Sequence, residues 1–226
     1  MPSRAEVTRL ANAHKRVATL ADRDLRALLA RLPLADNPAA ALRALEEVLP
    51  ALVARYGDMS ASVAAEWFEQ NYDLPATMPP YLSDEEIVVS TRWAAAPARA
   101  GAAVEAQKRL SYIVNRAVTQ MGRDAMIDSS ATAGLRWARV PVGETCAFCL
   151  MLASRGFDYR SRESAGGAAR KFHAYDDCQV VPDDGDPPAG YDPDGLYERY
   201  QAARDEAGSG RTKSILSAMR EIEDIH

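Results

Sequence analysis

Between Ala5 and Leu32, apolar side chains at Val7, Leu10, Val17, Leu20, Leu25, Leu28, Leu29 and Leu32 recur at helical rather than alternating spacing. Arg, Asp and Lys fill the positions between them, which makes this stretch one long amphipathic helix. The same period returns downstream and restricts the first 130 residues to helices that bury one face against each other. After the break at Pro33 and L-A-D-N-P, a second helix is predicted from about Pro38 to Tyr56, with Leu42, Leu45, Val48, Leu49, Leu52 and Val53 on one face. Gly57 is expected to end it, and Pro50 to kink it.

Asp58 or Ser60 can then cap a third helix, S-A-S-V-A-A-E-W-F-E-Q-N-Y, that stops before the Pro-rich loop 75–80. Ser83 and Glu86 form an S-x-x-E capping box that opens L-S-D-E-E-I-V-V-S-T-R-W. A further long helix is predicted from about Pro97 to Met126 through Val104, Leu110, Ile113, Val114, Ala117, Val118 and Met121. Composition agrees: hydrophobic residues make up 47% of the chain but aromatics only 7%, with alanine filling the difference, and alanine with Leu, Arg and Glu favours helices over sheets.

From about residue 134 the pattern changes. G-L-R-W-A-R-V-P-V is short, β-branched and aromatic, and it runs into C-A-F-C. A helical turn L-M-L-A-S-R, a strand-like G-F-D-Y-R-S, a Gly/Ala-rich loop and a closing strand C-Q-V-V follow. The acidic D-D-G-D-P-P-A-G-Y-D-P-D-G is loop, and C-terminal helices are predicted over Leu196–Ala207 and Thr212–Ile225. The expected fold is mainly α with a small α+β module. Its parts are an antiparallel helical region over 1–130, a Cys/His knuckle with short strands over 131–190, and a helical tail over 191–226.

The net charge of −5 argues against a protein that coats duplex DNA or an anionic membrane through global electrostatics. No signal-peptide core and no run of about 18 apolar residues is present, so the expectation is a chain that neither enters the usual secretory route nor spans a membrane. In a reducing cytoplasm, three cysteines suit metal binding better than a disulfide framework.

All three cysteines and the one histidine away from the termini lie in a single window, C-x2-C-x23-H-x4-C, formed by Cys146, Cys149, His173 and Cys178. Such a Cys3His set can close a tetrahedron around Zn2+, and a filled four-ligand site is structural because no position is left for a reacting water. The alternative is thiols and a loop histidine with no metal. A thioredoxin-like centre would need a βαβ context that the helical first half lacks. A zinc deaminase would need H-x-E upstream, whereas His14 sits in H-K-R and Glu144 has no ligand beside it.

Hydrolase chemistry is poorly supplied. Only His14, His173 and His226 could serve as base, His14 reads as a surface or boundary residue of the first helix, and no phosphate-binding Gly-rich loop is present. Arg155, Arg160, Arg162, Arg170 and Lys171 surround the knuckle, and Asp176, Asp177, Asp183, Asp184 and Asp186 follow it. The set reads as a solvated surface of mixed charge, with nucleic acid or an acidic partner as the competing reading. Trp67, Trp93 and Trp137 read as packing anchors.

Four segments carry a family resemblance: Y-G-D-M-S-A-S-V-A-A-E-W-F at 56–68, R-V-P-V-G-E-T-C-A-F-C-L-M-L-A-S-R-G-F at 139–157, the H-x4-C at 173–178, and G-Y-D-P-D-G-L-Y-E-R-Y at 190–200. With them the chain resembles the phage Mu F-like head morphogenesis proteins, in the short form found in tailed phages of actinobacteria. The resemblance implies a minor capsid protein of the virion head. It would associate with the portal, the scaffold and the major capsid protein during procapsid assembly and be retained in a few copies. Members are also described as capsid maturation proteases, which is the alternative, and a DNA-contacting protein packaged in the head is the third reading. Many relatives close the motif with C-x-C where this chain has Cys178-Gln179-Val180, so the resemblance makes His173 the fourth ligand and leaves no six-ligand or disulfide arrangement.

Overall fold

The computed structural model describes residues 2–143, 145–161, 172–173 and 177–225. Within these, Ser3 opens α1 (Arg4–Leu29) with a capping box to Glu6. Asn37 caps α2 (Pro38–Tyr72), with Pro38 at the first helical position where its missing N–H costs nothing. Ser83 and Glu86 form the expected box at the start of α3 (Asp84–Ala95), a 3-10 turn spans Ala96–Ala100, and α4 runs over Ala103–Thr132. Ser83→Ala is expected to cost about 1 kcal/mol of stability, read as a lower urea midpoint at unchanged slope.

The two helices expected between Pro38 and Tyr72 are one helix of 35 residues. Gly57 does not end a helix: it lies buried where α2 crosses α4, and a Cβ there would stand 2.9 Å from the Met121 Cγ. A glycine in a close helix contact and a glycine past a helix end read alike in sequence, and here packing explains it. The helix also runs through Pro50. The helix expected from Pro97 begins at Ala103, after the 3-10 turn and Gly101.

Helix α4 packs against α1, α2 and α3. Downstream, β1 (Trp137–Val140) pairs antiparallel with β2 (Gln179–Pro182), with Val140 opposite Gln179 and Trp137 opposite Pro182. The stretch expected to be strand-like around Tyr159 contributes only a single bridge to Trp137. Between the strands lies α5 (Ala147–Ala153), and α6 (Pro193–Ala207) and α7 (Thr212–Ile222) pack on each other and on α5. The fold is mostly helical with a two-stranded sheet, as expected.

Two apolar clusters form the interior. One is wholly helical and includes Leu25, Leu29, Leu45, Leu49, Ile87, Leu110 and Val118. The other joins Val7, Leu10, Phe68 and Met121 to Trp137, Val140, Cys149, Cys178, Leu196 and Met219. Each fully buried leucine contributes about 2 kcal/mol. The Cys-bearing module thus has no private core, since the ends of α1, α2 and α4 supply much of it. Tyr72 Oη donates to Pro182 O at 2.9 Å, and Tyr191 Oη to Ala153 O at 2.7 Å, which ties the sheet to α2 and the α6 approach to α5.

A polar seam separates the clusters in all three long helices. His14 on α1 follows Leu10 of one cluster and precedes Val17 of the other, Ser60 on α2 stands between Tyr56 and Ala61, and Gln120, Gly122 and Arg123 on α4 follow Val118. His14, expected at the surface, is only 4% exposed, and its Nδ1 lies 3.1 Å from Gln179 Oε1 on β2. The lone charge-capable ring of α1 is buried because β2 offers it an amide partner, a contact across 165 positions. Trp67 and Trp137 are packing anchors, but Trp93 is 55% exposed on α3 with Arg109 of α4 over its ring.

Candidate metal centre

Cys146 is the N-cap residue of α5 with extended backbone (φ −69°, ψ 156°), and Cys149 lies one turn on. Residues three apart at a helix start share a face, so C-x2-C brings its two thiols together by local geometry alone. His173 arrives from a distant part of the chain. Phe172 is its anchor: the ring is 1% exposed and lies 3.4 Å from the Arg139 guanidinium carbon and 4.2 Å from that of Arg123. Arg116 Nε also donates to Phe172 O at 3.3 Å. Three arginines from α4 and β1 thus hold the residue next to His173.

The result is a cluster in which one ligand atom each of Cys146, Cys149 and His173 lies within 4.8 Å of the others. Cys146 Sγ is 3.9 Å from His173 Nδ1. Zinc–donor bonds of 2.3 and 2.0 Å place a thiolate and an imidazole nitrogen about 3.5 Å apart in a tetrahedron, so closing around an ion requires only small shifts. Two sulfurs and one imidazole are donors suited to zinc and other borderline metals. The three residues can therefore hold a metal ion.

Cys149 is buried, Cys146 half-buried and His173 exposed. The Cys146 thiol is pushed up from its ordinary range by its hydrogen bond to the Cys149 thiol and by burial, while the Cys149 amide and His173 pull it the other way. A cation bound at the site would displace the Cys146 proton.

Cys178, the remaining member of the expected four, lies outside this cluster. It is 0% exposed in the apolar interior, immediately before β2, whose register with β1 fixes its backbone. None of the three cysteines is in a disulfide. Of the charged residues around the knuckle, Arg155, Arg160, Asp177, Asp183, Asp184 and Asp186 are described, whereas Arg162, Arg170, Lys171 and Asp176 lie outside the described residues, as do Glu144 and His226. Sequence reasoning missed the Arg116, Arg123 and Arg139 clamp. Its one local sign is a bulky aromatic directly before His173.

Because the module shares its core with the helices, metal removal should loosen the site without unfolding the chain. Purification without chelator is expected to yield about one zinc per chain. Chelation should lower the thermal midpoint by several degrees while the far-ultraviolet helical signal at 25 °C persists, and Cys146→Ser should abolish retention of the metal. A collapse of helical signal on chelation would contradict the shared core.

A helical bundle bearing a small two-stranded Cys/His module is the class of protein that fold and site define. The chain belongs to the VG15 protein family, whose profile matches residues 1–203 and so spans α1 to most of α6. The family is one of viral gene proteins, which points to a phage protein, structural or virion-associated. Neither the curated proteins nor the solved structures yield a match to the chain. Among the described residues, no helix is long and apolar enough to cross a membrane.

Proposed function

We propose that the chain is a minor head protein of a tailed phage, of the Mu F-like head morphogenesis type. In this reading it associates with portal and scaffold while the procapsid assembles, remains in the head in a few copies, and carries structural zinc at its Cys/His cluster. The observation that carries the reading is the viral family match over residues 1–203, within which the four resembling segments fall in order. Histidine chemistry adds support for a non-catalytic role. His14 is buried with its Nδ1 engaged by Gln179, and His173 belongs to the thiol cluster, so neither stands ready as a general base.

The test is co-expression with the cognate portal, scaffold and major capsid protein. Purified procapsids are expected to contain the chain at low copy number, and to lose it when the portal gene is omitted. Specific cleavage of scaffold or capsid protein, abolished by one Ser, Cys or His substitution in this chain, would replace the structural reading with a protease. Salt-dependent DNA binding lost on replacing Arg160, Arg162 and Arg170 would favour the packaged, DNA-contacting reading.

A further inference from the structure

We infer that Cys146 and Cys149 form a reversible disulfide with each other, and that this bond and a bound metal exclude one another. The cluster is then a redox-sensitive metal site, oxidised by a small-molecule disulfide. The inference rests on the metal reading of the cluster and is independent of which head protein the chain meets.

Geometry comes first. Cys146 is the N-cap of α5 and Cys149 lies three residues on. Residues so placed at a helix start have Cα atoms about 5 Å apart, inside the range of about 4.4 to 6.8 Å that a disulfide spans. The two sulfurs already lie within 4.8 Å of each other, and side-chain rotation closes the remaining gap with the backbone in place. Access singles out the same pair. Cys146 is half-buried, whereas Cys149 is 1% exposed and Cys178 is 0% exposed in the apolar interior ahead of β2. A dissolved oxidant therefore meets Cys146 first, and Cys149, one turn on, resolves what forms there.

The chemistry follows from the metal-bound state. Zinc is held by deprotonated cysteines, so a filled site presents Cys146 as a thiolate. That sulfur attacks one sulfur of the small-molecule disulfide, whose S–S bond breaks as one small thiolate leaves. The Cys149 thiolate then attacks the Cys146 sulfur of the mixed disulfide and expels the second small thiolate. The two cysteines lose two electrons, the oxidant gains them, and the departing thiolates take their protons from water. Sulfurs joined in the new bond carry no charge and no longer hold the ion. Of the three converging donors only His173 remains, so the metal is released. A virion protein meets both conditions, because assembly takes place in a reducing cytoplasm and a released particle enters oxidising surroundings.

The experiment uses the full-length chain, purified reduced and zinc-loaded, with oxidised glutathione as the oxidant. Trypsin leaves Cys146 and Cys149 together in the peptide 140–155 and Cys178 in another. Once free thiols are alkylated in denaturant, the oxidised peptide is expected to carry no alkyl group and to be two hydrogens lighter than its free dithiol form, with Cys178 alkylated. About one zinc should be released per disulfide formed, and dithiothreitol should restore both thiols and zinc uptake. Cys149→Ser should halt with glutathione held on Cys146, while Cys178→Ser should behave as wild type. Wild-type peptide that stays fully alkylated in excess oxidant, glutathione that persists on Cys146, or a bridge to Cys178 would overturn the proposal. So would zinc retained after the disulfide has formed. Reduced protein that holds no zinc would refute the metal reading and the exclusion with it, whereas the alkylation pattern tests the disulfide separately. Failure of portal association would leave these readings untouched and refute only the head-protein assignment.

Discussion

Gly122→Ala is expected to destabilise the protein by about 3 kcal/mol, against the usual gain of about 1 kcal/mol for Gly→Ala inside a helix. A Cβ at position 122 would stand 2.5 Å from His14 Nε2, 2.7 Å from Ser60 Oγ and 2.9 Å from His14 Cε1. Neither neighbour yields cheaply, because Ser60 is fully buried and His14 is held by Gln179. Ser60 Oγ has no hydrogen-bond partner among the described residues, so its closeness to α4 is a matter of packing and not of bonding. Adding His14→Ala should relieve the clash, making the double mutant non-additive by more than about 1 kcal/mol in urea unfolding. Gly57→Ala is the comparator: its new methyl meets the flexible Met121 side chain at 2.9 Å and should cost less. A Gly122→Ala protein more stable than wild type would contradict the seam.

The second large effect is acid lability from the same histidine. Burial, with the nearby Arg123 charge, lowers the His14 pKa from its ordinary 6.5 to about 4, although its bond to Gln179 pulls the other way. The folded state therefore keeps the ring neutral where the unfolded chain takes up a proton. Above pH 6.5 the ring is neutral in both states and the full stability is present. As pH falls from 6.5 toward 4 that stability is lost, by about 3 kcal/mol in all, and below 4 the loss levels off. Urea midpoints of wild type and His14→Gln across pH 4 to 7.5 isolate the term from the carboxylates. The difference between the two should shrink as the pH falls, and a pH-independent difference would show that His14 does not titrate in this way.

Much of the helical fold was legible because its signals are local. The period that places Val7, Leu10, Val17 and Leu25 on one face of α1 comes from the 3.6-residue turn, and the Ser83–Glu86 box closes within one turn. The strands at Trp137–Val140 and Gln179–Pro182 were legible for the same kind of reason, as short β-branched runs next to turn residues. Gly57 misled because a glycine's meaning depends on what approaches it, and Met121 lies 64 positions away. His14 misled because the amide that buries it comes from β2. Trp93, expected in the interior, lies outside because the inner face of α3 is taken by Ile87, Thr91 and Ala94.

At the candidate site the division follows the same line. The pairing of Cys146 with Cys149 follows from sequence alone, since the start of a helix places residues three apart side by side whatever surrounds them. The chain itself likewise determined where the amphipathic helices run and which ends are capped, because those are decided within a few residues by backbone geometry. The polar seam that locks α1, α2 and α4, the arginine-held Phe172 that delivers His173, and the burial of Cys178 away from the cluster were decided only in three dimensions. Each depends on which distant side chains share one small volume, and spacing along a chain does not encode that.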